Sequence, residues 1–199
     1  MELTLIGSPR SRTMRVLWIL AELGLEYAHQ PLEWSDPALK APDFMGLNPA
    51  GQVPTLIDGD FALSESLAIN LYLAKKYGAP PFYPASIESE ADVWRWTLWA
   101  QGALEPWVQR DFRMNALKAV GEKEIAALAG LAIETLESAL SDRAWLCGAE
   151  FCVADLNVAA VLSPSRAAHL DFSAAPRASD WLTRCYARPA AVATRERYG

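Results

Sequence analysis

Hydrophobic residues change their spacing repeatedly along the first 78 positions, and each change predicts a new element. Short strand-like runs alternate with stretches in which apolar residues recur at helical intervals. Asp58-Gly59-Asp60, between two of the strand-like runs, is a hairpin signal. The predicted order is β-α-β-α-β-β-α, with segments at 2–7, 14–25, 26–33, 36–47, 53–58, 61–65 and 66–78.

The strand signals stop at a proline-rich segment, 79–87, which we expect to be a linker. Helical spacing then continues to the C-terminus, first in a tryptophan-rich stretch that we expect to bend near Pro106. The pattern therefore predicts a small α/β domain at 1–78 and an all-α helical-bundle domain at 88–199.

Composition narrows the classes of protein that fit. The chain has 199 residues, of which 52% are hydrophobic and 21% charged, enough to bury a core without cross-links. The formal net charge is -6 and there is no dense block of lysine and arginine. Binding to nucleic acid or to an anionic membrane needs concentrated cations, so neither is expected as the main role.

The cysteines and the N-terminus indicate the compartment. Three cysteines, an odd number and none in a CxxC, do not predict a disulfide framework or a zinc site. We expect no signal peptide, because a strand-like run begins at position 2, and no apolar run approaches the roughly 20 residues of a membrane helix. We expect a soluble cytoplasmic protein without a bound metal.

Pro54 begins a predicted strand, where proline removes a hydrogen-bond donor. Bonds before proline are also the only common cis peptide bonds. A cis Val53–Pro54 bond would turn the backbone groups of Val53 outward, where a peptide-like ligand could pair with them as an added strand. The alternative is a turn proline on an edge strand.

The triplet Ser64-Glu65-Ser66 comes directly before a helical run. Ser64 or Ser66 could cap that helix, and Glu65 would be favourable in its first turn. The same groups can also bind an α-amino acid: helix amides and a hydroxyl hold the carboxylate, while Glu65 pairs with the ammonium. From these residues alone, capping and ligand binding both stay open.

The loop after the first strand is rich in hydroxyls and cations and leads into a helix. Such a setting can lower the pKa of a thiol from about 8.5 by favouring the thiolate. The alternative is helix capping by Ser11 or Thr13 beside solvated arginines. The residues are Ser8, Arg10, Ser11, Arg12, Thr13 and Arg15.

Five segments spread over nearly the whole chain resemble the glutathione transferases: 11–27, 47–60, 63–73, 151–159 and 181–190. The form of the first loop resembles a bacterial and fungal branch that carries a serine there. The resemblance implies a thioredoxin-like first domain, glutathione as co-substrate, a small hydrophobic electrophile as second substrate, a detoxification role and a homodimer.

The resemblance also implies roles for residues near the sulfur of glutathione. Ser11 would donate its hydroxyl to the thiolate. The loop looks one residue shorter than in many relatives, so Ser8, Arg12 or Thr13 could stand nearest the sulfur instead. No cysteine lies in the first domain, which argues against the reductase-like classes.

The rest of the tripeptide would meet residues further along the chain. Val53 would pair its backbone with the cysteinyl part, with Pro54 in cis. Glu65 and Ser66 would hold the γ-glutamyl head. Near the glycyl carboxylate the family often uses two further positions, here Lys40 and Gln52.

In the second domain, Trp107, Phe112 and Arg113 are the residues that we expect to line the electrophile pocket. One departure from the family concerns folding: Cys152 stands where the family has a capping serine or threonine, while its partner Asp155 is kept.

Three functions fit these residues. The first is a glutathione transferase that stabilises the thiolate and presents it to an electrophile. The second is a glutathione-dependent isomerase, dehalogenase or peroxidase on the same scaffold, because fold does not fix chemistry. The third is a non-catalytic binding protein that keeps the fold.

Overall fold

The computed structural model describes residues 3–108 and 121–199. The chain forms two compact units, one of Met1–Ala79 with Arg188–Gly199 and one of Pro80–Ala187. The break after Ala79 falls in the expected linker. Arg188–Gly199, which we had placed in the helical domain, group with the first unit, a placement that the sequence pattern did not indicate.

A four-stranded mixed sheet forms the centre of the first unit. Its order is β2-β1-β3-β4, with β1 and β2 parallel and the other two pairs antiparallel. The hairpin predicted at Asp58-Gly59-Asp60 joins β3 to β4, and Gly59 has the positive φ of 61° that such a turn favours. The strands are β1 (Leu3–Ile6), β2 (Tyr27–Gln30), β3 (Thr55–Asp58) and β4 (Phe61–Ser64).

Helices complete the predicted β-α-β-α-β-β-α order, which the structure confirms. Helix α1 buries the apolar face that the spacing predicted, and Gly24 follows its end with a φ of 63°, the left-handed conformation typical of a helix stop. The helices of this unit are α1 (Thr13–Glu22), α2 (Pro42–Leu47), α3 (Ser66–Tyr77) and, from the C-terminus, α10 (Pro189–Tyr198); a 3₁₀ turn spans Pro37–Lys40.

The C-terminal helix α10 packs against α1 within the first unit. Arg188 Nε donates to Glu22 Oε1 at 2.9 Å, and the hydroxyls of Tyr27 and Tyr198 lie 3.0 Å apart. Burial and the hydrogen bond to Tyr198 raise the pKa of Tyr27. These long-range polar contacts explain the assignment of the C-terminal segment, because they join it to α1 and β2.

The described secondary structure of the second unit is helical apart from one isolated β-bridge between Trp145 and Gly148. A π-helical turn, Ala100–Leu104, ends two positions before Pro106. The proline ring clashes with the carbonyl four residues back in a regular helix, and a wider turn relieves this clash. The helices are α4 (Ile87–Trp99), α5 (Glu105–Val108), α6 (Glu122–Ala139), α7 (Val153–Leu162), α8 (Pro164–Ala167) and α9 (Pro176–Tyr186).

Helix α7 is buried along its whole length, and a buried carboxylate holds its start. Asp155 accepts hydrogen bonds from Leu146 N at 2.9 Å, Cys152 N at 3.0 Å and Trp181 Nε1 at 2.8 Å. Cys152 is the N-cap residue, as the sequence indicated. Burial raises the pKa of Asp155 in spite of these donors. In the described ranges, no helix has both the length and the apolar character required to cross a membrane.

Candidate functional site

The loop between β1 and α1 is ordered by its own hydroxyls. Ser11 Oγ donates to the carbonyl of Ser8 at 2.8 Å and accepts from the amide of Thr13 at 3.1 Å. The Ser11 and Thr13 hydroxyls lie 2.8 Å apart. Arg12 is the N-cap residue of α1 and makes no side-chain cap bond, so Ser11 supplies the oxygen that meets the first helical amide.

Exposure separates the four candidates for contact with a sulfur atom. Thr13 is fully buried, and Ser8 is only 2% exposed, with its hydroxyl donating to Glu33 Oε1 at 2.9 Å. Ser11 and Arg12 are half-buried and reach the surface of the loop. Ser11 and Arg12 are therefore more accessible to a ligand than Ser8 and Thr13.

Gly7 lets this loop approach the segment that carries Val53. A Cβ at Gly7 would stand 2.2 Å from Thr13 Oγ1 and 2.9 Å from Val53 Cβ, and its φ of 137° is one that side chains rarely adopt. Its carbonyl accepts a hydrogen bond from His29 Nε2 at 2.9 Å. The first-loop hydroxyls and Val53 therefore lie side by side.

The backbone of Val53 forms an open edge. The Val53–Pro54 bond is cis, as the resemblance implied. The pairing of β3 with β1 ends at Thr55, opposite Ile6. Within the described part of the chain, neither the amide nor the carbonyl of Val53 makes a hydrogen bond. An extended peptide can pair with both groups.

Asn48, which we had not singled out, holds the segment in place. Its Nδ2 donates to the Gln52 carbonyl at 2.8 Å and to Thr55 Oγ1 at 3.0 Å, and its Oδ1 accepts from the Ala50 amide at 3.1 Å. The side chain is only 2% exposed. The signal in the sequence was present: an asparagine two residues before a turn commonly bonds to the backbone of that turn.

Glu65 occupies the corner between β4 and α3. Its φ is 69°, an unusual conformation for a residue other than glycine, asparagine or aspartate. Its side chain is exposed, and among the described residues its carboxylate has no hydrogen-bond partner. Backbone strain of this kind costs about 1–3 kcal/mol and is concentrated at functional sites.

Neither serine of the triplet caps α3. Glu65 is the N-cap residue and makes no side-chain cap bond, so the capping interpretation of Ser64 and Ser66 is wrong. Ser66 Oγ instead accepts from Nη1 of the buried Arg15 at 3.4 Å, while Asn70 donates to the Arg15 carbonyl at 3.4 Å. Ser66 is therefore fixed from α1, with the first amides of α3 beside it.

Lys40 and Gln52 come before Val53 in the chain, whereas Glu65 comes after it. Both side chains are exposed. Lys40 Nζ donates to the Gly51 carbonyl at 3.0 Å and to the Ala50 carbonyl at 3.4 Å. These bonds hold the Lys40 ammonium at the residue before Gln52 in the chain, and an ammonium can bind a carboxylate.

The structure thus brings the first loop, Val53 and Ser66 around the start of α1. Of the residues expected to line an electrophile pocket, Trp107 is half-buried in α5, whereas Phe112 and Arg113 lie outside the described residues. In the ranges 3–108 and 121–199, no group of three His, Cys, Asp or Glu side chains is arranged to hold a metal ion.

Comparison with known proteins identifies the family of both domains. Residues 1–75 match the family model of the glutathione S-transferase N-terminal domain, and residues 102–189 match that of the C-terminal domain. Glutathione S-transferase 3 of Zea mays is 33% identical over 94% of this chain and 90% of its own.

Solved structures are similar over nearly the whole chain. Glutathione transferase F7 from Populus trichocarpa has a TM-score of 0.82 at 26% identity, covering 99% of both chains. URE2P8 from Phanerochaete chrysosporium, solved with oxidized glutathione, has a TM-score of 0.83 at 23% identity, covering 98% of this chain and 94% of its own. A thioredoxin-like domain followed by a helical one, with these matches, establishes that the chain belongs to the glutathione S-transferase family.

Proposed function

We propose that this protein is a glutathione transferase that binds glutathione in the first unit and stabilises its thiolate for attack on a hydrophobic electrophile. The observation that carries the proposal is the corner at Glu65: an exposed carboxylate on a strained backbone, next to Ser66 and the start of α3. Capping does not account for this arrangement, and binding of a zwitterion does.

The γ-glutamyl head of glutathione carries an ammonium and a carboxylate on one carbon. Glu65 is the partner that we assign to the ammonium. Ser66 and the free amides of α3 are the partners of the carboxylate, which the positive end of the helix also attracts. The α-carbon places both charges close together. Two adjacent residues, one that binds an ammonium and one that binds a carboxylate, are therefore well suited to hold them.

The middle and the far end of the tripeptide follow from the same placement. The unpaired backbone of Val53 pairs with the cysteinyl residue in our proposal, which brings the sulfur beside the first loop. Ser11 then donates its hydroxyl to the thiolate, with Arg12, Thr13 and Ser8 as alternates. At the glycyl carboxylate we assign Lys40 and Gln52.

Donation from Ser11 requires a change of partner. Its proton is directed at the Ser8 carbonyl in the structure, and Thr13 can donate to Ser11 Oγ in turn. A thiolate attracts the proton more strongly than a neutral carbonyl does, because hydrogen bonds to ionised acceptors are about twice as strong. The catalytic contribution is stabilisation of the anion and its placement near the electrophile.

The second substrate that we propose is a small hydrophobic electrophile. We assign Trp107, Phe112 and Arg113 to the wall of an apolar electrophile pocket. A detoxification role and a cytoplasmic location complete the proposal, and three cysteines without disulfides fit a reducing compartment.

We also propose a homodimer. Support comes from a stripe of exposed apolar side chains on α4, at positions spaced by four, three and four residues and so on one face of the helix. Ile87 is 72% exposed, Trp94 43% and Leu98 68%, with Ala91 between them. Burying such a stripe removes apolar surface from water.

The activity is tested by conjugation of glutathione to chlorodinitrobenzene, together with the absorbance of the thiolate of bound glutathione. The proposal predicts turnover and a thiolate at neutral pH that requires the protein. Binding of glutathione without thiolate formation or turnover with this and other electrophiles would support the non-catalytic alternative.

A further inference from the structure

Two of the three cysteines, Cys147 and Cys152, stand at the ends of a short loop before α7. Trp145 and Gly148 exchange both backbone hydrogen bonds, at 3.0 and 3.1 Å, so Cys147 occupies the second position of a two-residue turn. Gly148 has a φ of 141°. The turn directs the chain back toward the start of the helix.

One carboxylate holds both ends of this loop. Asp155 Oδ1 accepts the amide of Leu146, the residue before Cys147, and Asp155 Oδ2 accepts the amide of Cys152. The Trp145 and Phe151 rings meet edge to face with their centres 5.2 Å apart, which closes the loop from the other side. A hydrogen bond with the Cys147 side chain, together with burial and the charge of Asp155, raises the pKa of the Cys152 thiol.

The two sulfur atoms differ in access and in partners. Cys147 is half-buried, whereas Cys152 is buried, with 3% of its surface exposed. Cys152 Sγ also donates to Asp155 Oδ2 at 3.4 Å. A reagent from solution therefore meets Cys147 first, and Cys152 stands behind it.

We propose that Cys147 and Cys152 are a redox modification site that forms a reversible intramolecular disulfide with a small-molecule disulfide as oxidant. A disulfide needs two sulfurs whose β-carbons come within about 4.5 Å without backbone movement. One carboxylate holds the amides of Leu146 and Cys152, and the side chains of Cys147 and Cys152 interact, so we expect only a small movement to bring the two sulfurs to bonding distance. Cys185 lies fully buried on α9 and has no part in the reaction.

The reaction proceeds by two thiol–disulfide exchanges. Cys147, having lost its proton to solvent, attacks one sulfur of the oxidant; the oxidant's S–S bond breaks, and one small thiolate leaves. Cys152 then passes its proton to Asp155 Oδ2, to which it already donates a hydrogen bond, and attacks Cys147 Sγ; the mixed disulfide breaks, and the second small thiolate leaves. Two protein thiols have given up two protons and two electrons, and one small disulfide has become two thiols.

The product changes the start of α7. The hydrogen bond from Cys152 Sγ to Asp155 is lost with the thiol proton, while the bond from the Cys152 amide is kept. The loop from 147 to 152 becomes a closed ring, which restricts it further. The site is distinct from the residues assigned to glutathione, since all of its groups belong to the second unit.

The experiment is a thiol count after incubation of the native protein with oxidized glutathione and, separately, with hydroxyethyl disulfide. Alkylation after unfolding should count one thiol instead of three. Cleavage after Glu150, which lies between the two cysteines, should give two peptides that stay joined until a reductant is added. Hydroxyethyl disulfide contains no glutathione. The same loss of two thiols with both oxidants would therefore show that the reaction does not depend on binding of glutathione.

Two variants make the order of the steps visible. Cys152→Ser keeps a polar cap residue, so the fold is retained, and it should accumulate the mixed disulfide at Cys147. Cys185→Ser should form the same closed loop as the wild type. Three free thiols in the treated wild type, a linkage that includes Cys185, or a mixed disulfide that never resolves would each overturn the proposal.

Discussion

The hydroxyls of Ser11 and Thr13 lie 2.8 Å apart at the start of α1, and only Ser11 reaches the surface of the loop. Thr13 is fully buried and approaches Gly7 closely. In the proposed function the pair divides two tasks: Ser11 meets the ligand, and Thr13 holds Ser11 in place.

Replacement of each hydroxyl separately tests this division. Ser11→Ala should raise the pKa of the bound glutathione thiol by about one to two units, because the anion loses a charge-assisted hydrogen bond. Thr13→Val should give a smaller increase, since it removes only a partner of Ser11. Titration of thiolate absorbance measures both. A larger shift for Thr13→Val than for Ser11→Ala would transfer the role to Thr13.

The strained backbone at Glu65 predicts that one substitution can raise the stability of the protein and lower its affinity for glutathione. Glu65→Gly should raise the free energy of unfolding by up to about 1 kcal/mol, because glycine adopts a positive φ without steric cost. The same variant should lose most of its affinity for glutathione. Urea denaturation and calorimetry measure the two effects.

Alanine at the same position is the matched control. Glu65→Ala keeps a Cβ at a φ of 69° and so should stay near the stability of the wild type while losing affinity as the glycine variant does. If glycine made the protein less stable than alanine did, strain at this corner would not be the explanation.

Asp58 at the end of β3 predicts how stability depends on pH. It is buried and accepts hydrogen bonds at one oxygen from Tyr72, Lys76 and Tyr77. Burial alone would raise the pKa of this carboxyl, but the hydrogen bonds outweigh burial and hold it below its ordinary value of 3.8. Hydrogen bonding to Asp58 raises the pKa of Lys76.

A depressed carboxyl pKa stabilises the fold above the unfolded-state value and stops doing so as the pH falls through the folded-state value. Asp58→Asn should therefore lower the unfolding temperature by about 5 °C or more at neutral pH. The difference from wild type should shrink below pH 3.8. Calorimetry across this range measures it, and a difference that stays constant into acid would rule out the ionised carboxylate as the cause.

The exposed stripe on α4 predicts the oligomeric state. Leu98→Glu should convert a dimer into single chains, because a buried charge without a partner is costly. Leu131 on α6, 57% exposed and outside the stripe, offers the control: Leu131→Glu should leave the mass unchanged. Light scattering after size-exclusion chromatography gives the mass, and a wild type that elutes as a single chain would contradict the prediction.

Much of the fold could be predicted from local patterns in the sequence. Helical spacing placed α1 and α3, and the Asp-Gly-Asp turn placed the β3–β4 hairpin, because these elements depend on neighbours in the chain. The assignment of α10 to the first unit could not be predicted, since it depends on contacts such as Arg188 with Glu22 across more than 160 positions.

The sequence indicated the regions of the candidate site, but not the tertiary contacts that support them. The proline at 54 and the polar triplet marked two regions, but the support from Asn48 and the link from Arg15 to Ser66 depend on tertiary contacts. The hydroxyls of the first loop differ in burial, and burial at single positions cannot be predicted from a short irregular segment.

The central claim, that Glu65 binds the ammonium of glutathione, is tested most directly by calorimetry of two ligands on two proteins. The ligands are glutathione and its analogue with glutaryl in place of γ-glutamyl, which lacks only the amino group. Glu65→Gln should weaken glutathione binding by about tenfold or more, roughly 1.4 kcal/mol, and leave binding of the analogue unchanged. Equal glutathione affinity for both proteins, or an equal loss for both ligands, would contradict the account.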